Sequence, residues 1–585
     1  MTDGRDSAKV PTPVAVSANV AEYPPIGLEQ ANIMNHSFEA GEAREQRLSS
    51  PQFQNTRRFF IKRAFGGEEK TRSALQLCGE GWADQMPGPH RDGDLLHAWD
   101  LFLESGIHGD QHVLIKEWSD KYAPLGNYVV PSNYMNTWNE APEMRPEYWV
   151  IVNHPEDHLK IATQHVKKSV VNGASSFGKN FLAHIDKEEW RRRRFNLLHT
   201  VAPAGIRTYF HKMERHAQLL VEKFLKEEDS TFFYGSSAPF PAFNTHEMIE
   251  STAFAIAADS LFGLSDETIS QWSRKIRWAL MNPDPANSAA KKILAGWASV
   301  ISSWPAASRG PLLEALFDIK GGYPDKYGGA STAFHDDVHI LTLAMHDTTA
   351  STINWCLLEL ARRPALQALV AAEAREVLGD RASARAMTYE DLYKMPLLTK
   401  CINETLRLYP AVAYGSVRQL EKDEWLHAGP MGTDKTVLVP QGTTVLIQNF
   451  TNHRSKKLWG PDADEWKPER WEGYADVDAI NFDGPDGPDG WRCTYSARNP
   501  QSLRFHPFTR APRDCFGKNF AQAEMRVVLP VLLAKLEFHL AEPCASRIAR
   551  EGTDHLIYQM NGIIKPRDGS WMHVTPRKVA PQARL

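Results

Sequence analysis

Phe508-Thr509-Arg510-Ala511-Pro512-Arg513-Asp514-Cys515-Phe516-Gly517 sets one cysteine behind an arginine-rich, proline-containing loop. A largely apolar run from Phe520 to Leu536 follows and reads as a helix. The thiolate is the reactive form of cysteine, and its pKa falls at a helix N-terminus and beside cations. Cys515 has both in its sequence neighbourhood: the helix start after it and Arg513 two residues before. Gly517 leaves room for the backbone to approach a flat ligand. A cysteine taken alone at a loop–helix junction reads as buried and inert; these neighbours point to a ligand instead.

Length would suggest roughly three or four domains for 585 residues. Apolar residues make up 42% and charged residues 24%, ordinary for a soluble globular chain with a large core. The net charge of −4 is small for this size, so composition offers no case for a nucleic-acid partner. Cys78, Cys356, Cys401, Cys493, Cys515 and Cys544 lie far apart and include no Cys-x-x-Cys pair. That spacing argues against structural zinc and four-cysteine iron–sulfur clusters, and fits a reducing compartment.

Residues 1 to 30 hold no apolar segment of signal-peptide length, and no run of about 18 apolar residues occurs. No membrane span is therefore expected. Acidic Asp3, Asp6, Glu22 and Glu29 disfavour a transit peptide, without excluding organellar import. Arg57 to Phe65 mixes basic and aromatic residues, as a solvated arm or a segment touching a membrane surface would. A cytoplasmic or peripheral-membrane location is expected.

Residues 1 to about 85 are polar, broken by proline and glycine, and read as a partly disordered extension. Met86-Pro87-Gly88-Pro89 marks a stiff turn into the folded body, 86–585. Strands are expected at Tyr128–Val130 and Tyr148–Val152, with a helix from near Glu156. Helical patterns follow over Glu188–Thr200, Arg207–Glu227 and Asn244–Leu264, and residues 285 to 333 read as irregular, as loops and short helices. A long helix is expected from Asp336 to Arg362. Its Ala344-Met345-His346-Asp347-Thr348-Thr349 puts an acid and two hydroxyls in mid-helix, where threonine side chains compete for backbone carbonyls and distort the helix. Runs at Thr436–Val439 and Thr443–Ile447, joined by Gln441-Gly442, read as strands, and Gly562 to Arg577 as a closing hairpin. Asp483 to Gly490 is an acidic, turn-rich insert inside 472–504; calcium is conceivable there, but no EF-hand spacing is present.

The cysteine stretch resembles the haem-binding loop of the cytochrome P450 family, Phe-x-x-Gly-x-Arg-x-Cys-x-Gly, with Ala511 in place of the usual glycine. The resemblance extends over most of the chain after residue 85. Trp190 and Arg194, at i and i+4, match the family's propionate-binding helix, and Arg418 a second propionate arginine. Ala344 to Thr349 resembles the oxygen-activation segment, with Met345 where glycine is usual. Glu404 and Arg407, followed by Lys467-Pro468-Glu469-Arg470-Trp471, match the Glu-Arg-Arg network that locks the segment leading to the cysteine. Met86 to Pro89 resembles the proline-rich hinge.

What this implies is a mainly α fold: one haem-thiolate catalytic domain with small β-sheets, despite the length. The implied cofactor is haem b with Cys515 as thiolate ligand. Trp190, Arg194, Arg418 and Arg513 would bind its propionates, with Phe508 and Gly517 beside it. The implied activity is monooxygenation with O2, Thr348 donating a hydrogen bond to bound oxygen and Asp347 relaying protons. No flavin or nicotinamide module is evident in the sequence, so a separate reductase or ferredoxin-type donor is expected. Leu343, Ala344, Met345, Ala411, Val412, Ala413, Tyr414 and Met560 match substrate-contacting segments; they are largely apolar and favour a lipophilic substrate. Two rivals stand beside this: a haem-thiolate enzyme rearranging fatty-acid hydroperoxides, which needs no electron donor, and a haem-binding sensor or carrier.

Overall fold

In the computed structural model, β-strands are few and helices carry the mass. It describes residues 40–577 apart from 137–142, 170–177, 179, 184–185, 227–232, 235–241, 283–286, 321, 324–331, 380–385, 472–479, 483–492, 496–503, 553–556, 561–562 and 568. The described residues belong to one unit, Phe38–Leu585.

The expected polar extension is helical from residue 40 onward. Helices α1 (Ala40–Leu48), α2 (Pro51–Arg58) and α3 (Glu68–Gly79) precede the hinge. Phe53, Ile61 and Leu75 are buried, Ile61 and Leu75 in one cluster with Trp82, Met86 and Trp99. The expected boundary at residue 85 therefore falls inside a core. A few apolar residues spaced along polar helices suffice for docking, a pattern that average composition hides. The Arg57–Phe65 segment is likewise occupied: Phe60 and Phe65 pack edge-on against Trp99, and Arg57 pairs with Asp100 at 2.7 Å. Of its aromatics Phe59 stays exposed. The hinge abuts the next strand so closely that a Cβ on Gly88, at φ +158°, would meet the Val129 carbonyl at 2.2 Å.

α4 (Leu95–His108), capped by the Asp94 carboxylate, and α5 (Gln111–Tyr122) lead into β1 (Tyr128–Asn136) and β2 (Glu143–Val152). After α6 (Pro155–Gln164) the chain becomes helical: α7 (Lys187–Leu197), α8 (Pro203–Lys226), then β3 (Phe233–Tyr234) and β4 (Ala242–Asn244), then α9 (Thr245–Ala257) and α10 (Asp266–Met281). The stretch expected to hold loops and short helices contains the short α12 (Pro311–Phe317) and a longer α11 (Ser288–Ser302); Ile293, Trp297, Ile301, Leu312 and Leu316 are buried at helical spacing amid the small residues. α13 (Thr332–Ala344) and α14 (Asp347–Ala361) replace the single long helix, and α15 (Pro364–Leu378) and α16 (Pro396–Leu408) follow.

β5 (Ser416–Gln419), β6 (Glu424–His427), β7 (Thr436–Val439) and β8 (Thr444–Ile447) do not form the simple succession that the sequence suggests. β7 pairs with β6, while β8 lies between β2 and β5 in the order β1-β2-β8-β5 and is buried along its length. β9 (Ile480–Phe482) and β10 (Cys493–Tyr495) pair within the insert; the aspartates considered for calcium lie outside the described residues. α17 (Lys518–Lys535) is enclosed by α8, α14 and α15. β11 (Leu536–Leu540), α18 (Cys544–Glu551), β12 (Ile557–Met560), β13 (Ile563–Pro566) and β14 (Trp571–Pro576) end the chain. The expected closing hairpin is divided: β13 pairs with β12, whereas β14 joins β11 and β4.

Burial holds several histidines neutral. His112 and His453 are pushed down to about 3, and His246 to about 4. Each binds a proton in the unfolded chain below pH 6.5 but not in the folded one, so stability is present above that pH and lost as pH falls. Each contributes a slope of about 1.4 kcal/mol per pH unit. Neither ring nitrogen of His112, which packs edge-on against Phe450, has a hydrogen-bond partner. His112→Phe should therefore fold and should lessen the pH dependence of the urea midpoint between pH 6.5 and 4 by about one proton. An unchanged slope would place the acid sensitivity elsewhere.

Candidate active site

Cys515 sits at the end of the loop before α17, its backbone N–H donating to the Phe508 carbonyl at 2.8 Å. The residue is exposed and lines a cavity of about 410 Å³ together with Phe508, Gly517, Trp190 and Thr348. A Cβ built on Gly517 would meet nothing within 4 Å, so space lies open where the glycine faces. Ala511 does not carry the left-handed conformation: among the described non-glycine residues only Leu125 and Thr509 have positive φ. Alanine is therefore accommodated at 511 without a left-handed backbone.

One electrostatic expectation is overturned. Burial pushes the Cys515 thiol up rather than down; the Gly517 N–H, Arg194 and Lys518 pull the other way. Arg513 is engaged elsewhere, donating from Nε to the Val166 carbonyl at 3.0 Å with its guanidinium 3.9 Å above the Trp190 ring. Arg194 holds the loop itself, with Nη1 3.0 Å from the Asp514 carbonyl and Nη2 2.7 Å from its carboxylate.

The cavity wall gathers more positive charge than the sequence revealed. Arg418, on β5 next to the lining residue Val417, is not itself part of the lining; it is fully buried and none of its three guanidinium nitrogens has a hydrogen-bond partner. Burial depresses it to about 9, with Glu421 acting on it only through space. Lys168 lines the cavity and bridges backbone to backbone with Arg418; burial first, then Arg418 and Arg513, hold it well below the usual lysine value. Lys168 was missed because a Lys-Lys pair in a connecting segment reads as solvated surface. A buried, unbonded guanidinium is costly unless a ligand completes it. Crowded cations, a thiol facing the cavity and open space beside Gly517 together fit a flat, dianionic group such as haem.

α13 and α14 meet at this cavity. The helix breaks at Met345-His346, as the acid and hydroxyl run implied, and the break survives with Met345 in the glycine position. Thr348 Oγ1 donates to the Ala344 carbonyl at 3.2 Å, so the side chain takes over a backbone acceptor. Thr348, Leu343, Ala344 and Met345 line the cavity, as do Ala411, Val412 and Tyr414. Ala413 does not: it is fully buried and its carbonyl accepts from the N–H groups of Asn449 and Phe450. Met560 lies on β12 opposite Ile563, a lining residue that the sequence did not single out. Asp347 is also absent from the lining; it is fully buried and ion-paired with Lys565.

Behind the loop, Glu404 is the focus of five donors. Arg407 Nε and Nη2 lie 2.9 and 2.8 Å from its two oxygens, the Lys467 N–H at 2.9 Å, Trp471 Nε1 at 3.1 Å and Arg470 Nε at 3.3 Å. Arg407 also donates to the carbonyls of His453, Ala463 and Glu465. The three residues expected to interact are therefore in contact.

Residues 332–556 match the family model described as Cytochrome P450. Cytochrome P450 4F12 of Homo sapiens is 32% identical over 237 residues, 40% of this chain and 37% of that protein. The ultra-long-chain fatty acid omega-hydroxylase of Homo sapiens is 32% identical over 231 residues, 40% of this chain and 36% of that one. Cytochrome P450 3A12 of Canis lupus familiaris is 24% identical over 434 residues, 69% of this chain and 77% of that protein. The chain thus spans well under half of the first two relatives.

Removing one partner of a buried ion pair costs about 3–5 kcal/mol. Arg407→Ala should lower unfolding free energy by that amount, and denaturant titration that finds less than about 1 kcal/mol would contradict the lock. Arg418→Met should act in two directions. Without haem it should stabilise the protein by about 1–3 kcal/mol, since an unpaired buried group is removed. Haem affinity should fall roughly tenfold or more. Calorimetry with and without haem checks both signs.

Proposed function

Because this chain belongs to the cytochrome P450 family, we propose that it is a haem-thiolate monooxygenase placing one atom of O2 in a lipophilic substrate. The observation that carries this reading is a single cavity shared by a cysteine thiol, buried cations, a distal threonine and an apolar wall. Cys515 would supply the thiolate that binds the haem iron. Arg194, Arg418, Arg513, Trp190 and Lys168 would hold the propionates, and Phe508 and Gly517 would flank the ring. When bound, haem supplies the O2 chemistry, its thiolate favouring cleavage of the O–O bond.

The chain's own work is positioning and proton control. Thr348 presents a hydroxyl to the cavity and, at rest, donates a hydrogen bond to the Ala344 carbonyl. Rotation about its side chain would aim that proton into the cavity. Leu261, Leu280, Ile340, Leu341 and Leu343 supply a wall that excludes water and favours an alkyl or polycyclic substrate. One relative is named for omega-hydroxylation of ultra-long-chain fatty acids, which supports long acyl chains as the first class to test. Electrons would come from a separate reductase or ferredoxin-type partner. No helix among the described residues is long and apolar enough to cross a membrane.

Cys515→Ala should abolish the thiolate-type spectrum of the reduced carbon-monoxide complex; its persistence would remove the ligand assignment. Titration with fatty acids of increasing length, terpenoids and sterols should shift the haem absorption for at least one class. With that substrate and a reductase, Thr348→Ala should bind normally but yield roughly tenfold less product per reducing equivalent, with hydrogen peroxide accounting for the difference. An unchanged ratio would take Thr348 out of the reaction. Turnover of fatty-acid hydroperoxides without any electron donor would shift the function to the rearranging class.

A further inference from the structure

Two histidines distant in sequence meet where α6 begins. His154 is the N-cap residue of α6 and His427 the last residue of β6; their rings stack with centroids 3.9 Å apart and planes 16° apart. Glu156, exposed in the first turn of α6, completes the group: one ligand atom from each of the three residues lies within 4.8 Å of the other two. Two fully buried polar side chains hold the cluster from behind. Asn127 Oδ1 accepts from the His154 N–H at 3.0 Å, while Asn127 Nδ2 donates to the His427 carbonyl at 3.0 Å and to Asp157 Oδ2 at 2.6 Å. Asp157 Oδ2 also accepts from the His427 N–H at 2.8 Å and from its ring Nδ1 at 3.0 Å.

Two imidazoles and a carboxylate suit zinc, whereas calcium and magnesium prefer oxygen alone. A carboxylate that takes the Nδ1 proton leaves Nε2 as the ligand atom and fixes the direction of the ring, as outer carboxylates do for zinc-bound histidines. Burial, and then His427 beside it, holds the His154 ring below its usual value, so it too is neutral at pH 7. Lys160 pairs with Asp157, at 3.5 Å, and Glu424, at 3.7 Å, rather than with Glu156. Stacked rings point their lone pairs side by side. The His154 ring, which Asp157 does not pin, must therefore turn about its Cβ–Cγ bond to share an ion with His427 Nε2.

We propose that His154, Glu156 and His427 form a zinc site, with water at the exposed fourth position, that clamps the start of α6 to the paired strands β6 and β7. The cysteine spacing speaks only against thiolate sites, a different class. The clamp bears on the cavity because the segment that follows α6 carries Lys168, which lines it, and Val166, whose carbonyl accepts from Arg513 at 3.0 Å. The zinc site stands independently of the monooxygenase reading.

The test uses purified, haem-loaded protein cleared of loose metal with a chelator, and zinc chloride as the probe. Calorimetry should find one zinc ion per chain, and the thermal midpoint should rise with zinc concentration, as for any ligand that binds only the folded state. X-ray absorption at the zinc edge should show two imidazole nitrogens at roughly 2.0–2.1 Å. Glu156→Gln and His427→Gln should each weaken binding by about tenfold or more, and Asp157→Asn, which removes the acceptor charge behind His427, by about 10–100-fold. Glu156 is exposed, so its variant serves even where His427→Gln or Asp157→Asn fails to fold. Absence of bound zinc at about 100 µM, where a micromolar site is saturated, overturns the proposal. Equal binding by wild type, Glu156→Gln and His427→Gln overturns it too, since that result means an adventitious ion only.

Discussion

One carboxylate, Glu404, accepts five hydrogen bonds in a site with no water access, and the geometry around Cys515 follows from it. Its bidentate partner Arg407 reaches the carbonyls of His453, Ala463 and Glu465, so α16 is tied to a segment built of short turns. Planar guanidinium groups suit this because their donors have fixed directions. The segment so held runs on toward the cysteine loop, whose position would otherwise depend on a long, non-repetitive connection. Neutralising Glu404 would leave Arg407 buried and uncompensated, which is why the network holds as a unit.

A second constraint works in the opposite sense. Where Glu404 is saturated with donors, Arg418 has three donor nitrogens and no acceptor for them. The β1-β2-β8-β5 sheet carries it into the interior, because its strand is bound along one edge to β8. A protein tolerates such a group when a ligand supplies the missing charge, and the fold accepts the cost in the rest of its core. The site is thus destabilised where it would bind and stabilised where it must not move.

The distal side shows the same division of labour. Thr348 is free enough to face the cavity, while Asp347 is fixed by an ion pair with a strand distant in sequence. Adjacent residues on a helix point about 100° apart, so neighbours in the motif serve different surroundings. Helix α14 thereby separates a group that can turn toward a substrate from one held by charge.

Local residues were enough to place the cysteine loop, the broken distal helix and the Glu404–Arg407 pair, because each rests on short spacing: i to i+3 or i+4, or a hydroxyl competing for its own helix carbonyl. The docking of α1 to α3 and the splitting of the C-terminal hairpin were not legible. Their stability comes from faces buried against residues hundreds of positions away, and composition reports averages rather than faces. Lys168, Ile563 and Lys565 entered the site for the same reason. A lysine is a solvated charge in sequence; only the tertiary structure turns it into a buried cation with a named carboxylate or an anionic ligand to meet.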